Sequence, residues 1–354
     1  MPAAHRRALL ALSLAALLGA TPAVATPDPE DAVVVDRLAG DDRFATAALI
    51  AAQFPEGADT VFLANGQDYA QGADAVAAGA TAASGVFPDL VDGGPSGPAP
   101  VLLVRGIGIP EATRAALEEL APSQAVVLGG PGVILPTVDE ELLEMGIQPV
   151  RAFGPNRYGT AAVLAATFGP GVDTVFVASG EAIFHKPPVP PMMPDALAAS
   201  ARAGAEGAPV LLTRLDELPR ETRAALEALA PGSITIVGGE NGVSRRVALE
   251  LEAIAPVTRV KGSTRYETAA ALFAGQGAGG PAYLASGEGF ADSLSVSALA
   301  ATQQAPLLLS RRYAVPSVTE QALLEARPTS VHLVGGPTAL DDAVLTDVRA
   351  LLGP

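Results

Sequence analysis

Short unbroken runs of apolar residues alternate along this chain with longer stretches whose apolar positions recur at helical spacing. In the first third, Val33–Arg37, Val61–Ala64, Val101–Val104 and Ala125–Leu128 read as strands. Between them, Asp42–Gln53, Asp74–Thr81, Glu111–Leu120 and Pro136–Met145 read as helices. Strands that are apolar throughout, rather than alternating, are those covered on both faces. Strands alternating with helices predict βαβ units, a parallel sheet and an α/β fold.

The same order then returns twice. Val175–Ala178, Val210–Thr213 and Ile234–Val237 repeat it, and Ala282–Ala285, Leu307–Ser310 and Val331–Val334 repeat it again. Pro100-Val-Leu-Leu-Val-Arg105 matches Pro209-Val-Leu-Leu-Thr-Arg214 and Pro306-Leu-Leu-Leu-Ser-Arg311. A Gly-Gly pair beginning at Gly129, Gly238 and Gly335 ends the last strand of each copy. Self-similarity at a spacing near 110 residues is that of whole domains, too long for a solenoid unit. The repeats are therefore set at 32–147, 148–255 and 256–354, each long enough to bury a core of its own and each expected to build its own sheet.

Each repeat opens on one frame: Arg37-Leu-Ala-Gly-Asp-Asp-Arg-Phe-Ala-Thr46, Arg151-Ala-Phe-Gly-Pro-Asn-Arg-Tyr-Gly-Thr160 and Arg259-Val-Lys-Gly-Ser-Thr-Arg-Tyr-Glu-Thr268. A strand ends near the first Arg. Gly40, Gly154 and Gly262 permit a tight turn. Asp42, Asn156 and Thr264 are good helix N-caps, and Thr264 with Glu267 has capping-box spacing. Helix N-termini attract anions, and arginine adds forked donors for phosphate or carboxylate. Arg37, Arg43, Arg151, Arg157, Arg259 and Arg265 are thus candidate ligand residues. The alternative is that they pair with Asp41, Asp42 or Glu267 and only pin the turn.

Composition narrows the classes. The start of the chain, with Arg6 and Arg7, the apolar Ala8–Ala20 and then Ala23-Val-Ala25, has the form of a signal peptide over residues 1–25. Its removal takes the formal charge from −16 to −18. That field disfavours nucleic acid and anionic membranes as general partners. No later run is long and apolar enough to be a transmembrane segment. Cysteine is absent, so packed cores must stand in for disulfides.

Three further patterns could carry chemistry. Asp74, Asp195 and Asp292 each open the helix after the second strand, as N-terminal dipole partners or as ligand residues. Glu288 with Asp292 could act as an acid/base pair, although the Glu position is Gln67 in the first repeat. The Gly-Gly turns could cradle phosphate, or let helix and sheet approach. None has a dinucleotide or P-loop fingerprint, so no cofactor is expected. His185 and His332 show no metal-ligand spacing.

Taken together, the arginine frame, the Asp-Ala-Leu segment, the Pro-x-Leu-Leu strand and the Val-Gly-Gly turn resemble the cell wall binding repeat 2 family of Gram-positive surface-layer and cell wall proteins. The resemblance spans nearly all of the chain after residue 25. It implies three Rossmann-like or flavodoxin-like modules in a pseudo-threefold arrangement, and non-covalent attachment to an anionic cell wall polymer, teichoic-acid-like or an anionic polysaccharide. It further implies a secreted, wall-associated binding protein and no enzyme. Repeat one departs from the pattern between Tyr69 and Asp74, and repeat two at 185–194. Two other readings stay open: a secreted α/β enzyme on a phosphorylated or sugar substrate, and a structural surface protein that self-assembles.

Overall fold

The computed structural model describes residues 33–54, 58–67, 72–87, 97–181 and 193–353. The expected signal peptide, Tyr69 and His185 lie outside these residues, as does most of the 185–194 loop. Among the described residues there are twelve strands: β1 Val34–Leu38, β2 Thr60–Asn65, β3 Val101–Val104, β4 Gln124–Leu128, β5 Gln148–Ala152, β6 Thr174–Ser179, β7 Val210–Thr213, β8 Ser233–Val237, β9 Val257–Val260, β10 Pro281–Ser286, β11 Leu307–Ser310 and β12 Ser330–Val334. All pair in parallel. Helices separate them, as the apolar runs predict. The strands that face helices on both sides, such as β2 and β3, are buried at every position.

The sheets are not in phase with the repeats. Their orders are β3-β2-β4-β5, β7-β6-β8-β9 and β11-β10-β12-β1. The strand that opens each repeat is thus the edge strand of the preceding sheet. This corrects the expectation that 32–147, 148–255 and 256–354 would each build a sheet alone. The first two sheets borrow from the repeat that follows. The third has none following and takes β1 from the beginning of the chain, with Val34 opposite Ser330 and Leu38 opposite Val334. We call the three sheets with their helices modules one, two and three. An edge position also explains why β5 tolerates Pro149, whose missing N–H would break an inner ladder.

The ring is fastened at this closing seam. Arg349 donates through Nε and Nη2 to the Val35 carbonyl. His332 Nδ1 lies 2.6 Å from Asp36 Oδ1, so His332 is a strand residue at the seam.

At the centre, the helices after the second strands meet: Ala78–Ser84, Pro194–Ala205 and Ala291–Thr302. Gly79, Ser200 and Ser297 stand at the same position of each helix. A Cβ on Gly79 would come within 2.1 Å of Ser297 Oγ and 3.0 Å of Ser200 Oγ. The Ala80 N–H donates to Ser200 Oγ at 3.0 Å. Small residues are needed here because three helix backbones converge. One apolar core runs through all three modules, from Val35 to Val348.

Candidate functional site

The three frames fold alike. Asp42 accepts from the N–H groups of Phe44 and Ala45, Asn156 from those of Tyr158 and Gly159, and Thr264 from that of Glu267. These are the expected N-caps. Glu267 returns to the Ser263 N–H at 2.7 Å, one residue earlier than a capping box requires. The glycine of each frame is needed for close approach: a Cβ on Gly40, Gly154 or Gly262 would sit 2.4, 2.4 or 2.1 Å from the following helix. Its N–H donates to the frame threonine, Thr46, Thr160 or Thr268, at 3.1 Å in every copy.

The first arginine of each frame is bound into the Gly-Gly turn of the preceding repeat, within the same sheet. Arg37 Nη1 donates to the Gly335 carbonyl (2.7 Å), Arg151 Nη1 to that of Gly129 (3.1 Å) and Arg259 Nη1 to that of Gly238 (2.8 Å). Arg37 also pairs with Asp342 at 3.0 Å, Arg151 with Asp139 at 2.8 Å, and Arg259 reaches the Val243 carbonyl at 2.9 Å. Two carboxylates and a set of carbonyls take up most of these donors, while Arg151 Nη2 is buried with no hydrogen-bond partner among the described residues.

The turns themselves are tight. Gly129, Gly238 and Gly335 have φ of +111°, +109° and +103°, a region that L side chains rarely adopt. A Cβ there would approach Oδ2 of Asp74, Asp195 and Asp292 at 3.3, 2.7 and 2.3 Å. The second glycine of each pair has no such constraint.

The second arginine behaves differently. Arg43 Nη1 donates to the Gly66 carbonyl at 2.7 Å, Arg157 Nη1 to that of Gly180 at 3.1 Å and Arg265 Nη1 to that of Gly287 at 2.5 Å. Each also faces the aspartate of the preceding module across the junction. Burial pushes Asp292 up to about 6, with Arg43 opposing the shift. Burial likewise raises Asp195, against Arg265 and a hydrogen bond from Thr268, and raises Asp74, against Arg157. Burial lowers Arg265, against Tyr266, Asp195 and Glu288. None of the three aspartates is the helix N-cap; Asp195 and Asp292 lie in the first helical turn, where the dipole favours an anion. Asp195 Oδ1 is buried and has no hydrogen-bond partner among the described residues.

Open clefts lie on two of these junctions. The cleft of about 680 Å³ between modules three and one is lined by Arg43, Asp292, Glu288 and Arg312, with Asp41 and Asp42. That of about 650 Å³ between modules two and three is lined by Arg265, Asp195, Tyr266, Glu181 and Glu288. They lie at the carboxyl ends of the strands, where ligands sit in open parallel sheets.

The arginines after the third strands stack on the frame aromatics: Arg105 over Phe44 (5.5 Å), Arg214 over Tyr158 (5.3 Å) and Arg311 over Tyr266 (5.7 Å). The repetition of both residue types made this contact legible in principle. The pairing of each second arginine with the aspartate of another repeat was not anticipated, because it requires the ring. Arg312 was also missed, since it has no counterpart in the other repeats.

A profile of the family described as cell wall binding domain 2 matches residues 37–139, 151–248 and 259–345. This chain belongs to that family. It is a cell wall binding protein, associated with the cell wall or surface. The chain is 29% identical over 195 residues to an N-acetylmuramoyl-L-alanine amidase, LytC, of Bacillus subtilis, covering 55% of this chain and 37% of the amidase. It is 25% identical over 319 residues to an amidase enhancer of the same organism, covering 89% of this chain and 40% of the enhancer. Among solved structures, Cwp6 from Clostridium difficile superposes with a TM-score of 0.78 at 24% identity, over 95% of this chain and 50% of that one. Cwp8 from the same organism gives 0.72 at 25% identity, over 90% of this chain and 51% of that one. The cell wall binding domain 2 chain thus spans about half or less of the length of these relatives. The likeness to Cwp6 bears out the α/β fold of three parallel-sheet modules.

Proposed function

We propose that this protein holds to the cell wall by non-covalent binding of an anionic polymer at the junction clefts. The observation that carries this reading is the placement of Arg43 and Arg265, which line the clefts, while Arg37 and Arg259 are bound into turns. Arg157, at the third junction beside Asp74, takes the same role. Asp74, Asp195 and Asp292 orient these arginines rather than touch the anion. The chain repels polyanions at long range, so binding rests on short-range, charge-assisted contacts, each contributing about 1.5–3 kcal/mol. Linked sites on one polymer gain further through effective concentration.

The reading is of a secreted, non-catalytic protein. Supporting it, the acid/base arrangement of Glu288 and Asp292 becomes Gln67 and Asp74 in module one, and Asp292 faces Arg43 across the junction. The amidase chemistry in the name of one relative belongs to that protein, of which this chain matches the smaller part. Co-sedimentation of the purified protein with isolated cell walls, before and after acid extraction of their anionic polymers, tests the proposal. Binding that is lost on extraction is expected; binding that survives it refutes the anionic polymer as ligand.

A further inference from the structure

Each sheet ends on one side in the strand that opens a repeat, β5, β9 or β1, with no strand beside it. Such an edge accepts a further strand unless something covers it. The three edges are managed differently. In β5 the Gln148 N–H and the Ala152 carbonyl are bonded inward, so Pro149 and Arg151 face out, and Pro149 has no N–H to offer. In β1 the Val34 N–H and the Leu38 carbonyl are bonded inward, so Val35 faces out. Its carbonyl is taken by Arg349 from the helix Asp342–Leu352. In β9 the Pro256 and Val260 carbonyls are bonded inward, so Val257 and Arg259 face out. Among the described residues, nothing bonds to the main-chain N–H or carbonyl of either.

The helix beside this edge differs as well. The helices after the Gly-Gly turns begin at Pro136, Arg245 and Asp342. In module three Asp342 pairs with Arg37 of the edge strand, and Arg349, two turns on, reaches the outward Val35 carbonyl. This stripe of the helix therefore overhangs the edge. In module two the same stripe is Arg245, Leu249 and Glu252. All three are exposed, Leu249 at 51%. The ion pairs of this helix use Arg246 and Glu250 instead. Arg245 and Glu252 thus form no ion pair among the described residues. An open strand edge, an apolar side chain and one charge of each sign lie together.

We propose that this edge is a homodimer interface: β9 of a second copy pairs with it antiparallel, about a twofold axis at Thr258, and joins two four-stranded sheets into one. The register is self-complementary. With Thr258 opposite its own copy, Val257 of each chain faces Arg259 of the other, and each such pair exchanges two N–H···O=C bonds. Thr258 is exposed, and its Oγ already lies 3.2 Å from that of Thr235. A row of threonines then crosses the axis, a cross-strand pairing that stabilises sheets. On the other face, Val257 packs against the cluster of Val247 and Leu251. There the two overhanging helices run antiparallel, which brings Leu249 beside its copy and sets Arg245 opposite Glu252 of the second chain. A second copy is the occupant because the patch is its own complement, as a twofold interface requires. A strand of one charge sign would satisfy Arg245 or Glu252 and repel the other.

Sedimentation equilibrium of the purified protein over a range of concentrations tests it. A reversible monomer–dimer equilibrium is expected. Val257→Pro gives β9 the residue that β5 carries at the same place in the frame, Pro149, so the fold should accept it. It removes one outward donor from each chain and should weaken the dimer about tenfold or more. Glu252→Arg sets like charges against Arg245 and should weaken it about tenfold. Adding Arg245→Glu to that variant restores opposite charges and should recover the dimer, which repair of a folding defect would not explain. The chain has no cysteine, so Thr258→Cys supplies a single thiol, and mild oxidation should link two copies through it. Asp36→Cys, at the same position of β1, should stay unlinked. A wild type that is monomeric at every concentration overturns the inference. So does a dimer that Val257→Pro leaves intact, or one in which Thr258→Cys does not link.

Discussion

The two arginines of each frame stand six positions apart, are chemically identical, and do different work. Arg37, Arg151 and Arg259 grip a glycine carbonyl of the neighbouring repeat within their own sheet, and two of them add a carboxylate. Arg43 and Arg265 line open clefts and face a half-buried aspartate across the junction. The first set joins successive repeats inside one sheet. The second set presents charge that the fold has only partly compensated. Threefold repetition marks both as constrained, and only the surroundings tell which constraint each obeys.

Distorting the turn that presents the carbonyl should have the largest effect. Gly335→Ala forces a side chain into φ near +103° and places its Cβ 2.3 Å from Asp292 Oδ2. Strain and overpacking together should lower stability by about 3 kcal/mol or more, read as a fall in the denaturant midpoint. The next largest belongs to the first arginines. Arg151→Gln leaves Asp139 and the Gly129 carbonyl without their donor and should cost about 2–3 kcal/mol. The comparison breaks if Arg151→Gln melts like wild type and instead loses wall binding.

How far the sequence carries is visible in these same residues. The strands were legible because continuous apolar runs such as Val101–Val104 admit only a sheet buried on both faces. The N-caps were legible because Asp42, Asn156 and Thr264 precede helical periodicity. Ownership of the first strand was not: a repeat has no intrinsic starting point, and hydrophobic pattern cannot say which sheet an edge strand joins. The pairing of Arg43 with Asp292 was hidden for the same reason, since only ring closure brings the start of the chain against module three. Arg312 was passed over because attention to what repeats discards what does not.

The junction aspartates give a smaller, pH-dependent test. Asp292 is raised from 3.8 to about 6 by burial, with Arg43 opposing. Its neutral form is therefore the one the fold favours. Below about pH 4 it is protonated in both states and costs nothing. Between pH 4 and 6 the unfolded chain releases this proton and the folded chain retains it, so the contribution to stability declines as pH rises. Above pH 6 the full penalty stands, on the order of 3 kcal/mol. Asp292→Asn should flatten that part of the stability profile and leave the turn at Gly335 in place. A steep decline that persists in Asp292→Asn would assign it to another group.

The division of labour within a frame is tested most directly at Arg259 and Arg265, which share one frame and bear on one junction. Arg259→Gln and Arg265→Gln should each be measured twice, by thermal melting and by affinity of the folded protein for cell walls. For Arg259→Gln the account predicts a lower melting temperature and unchanged affinity. For Arg265→Gln it predicts affinity weakened about tenfold, with the smaller change in melting. Unchanged wall affinity in a folded Arg265→Gln protein, or a loss of affinity in Arg259→Gln at a wild-type melting temperature, would contradict it.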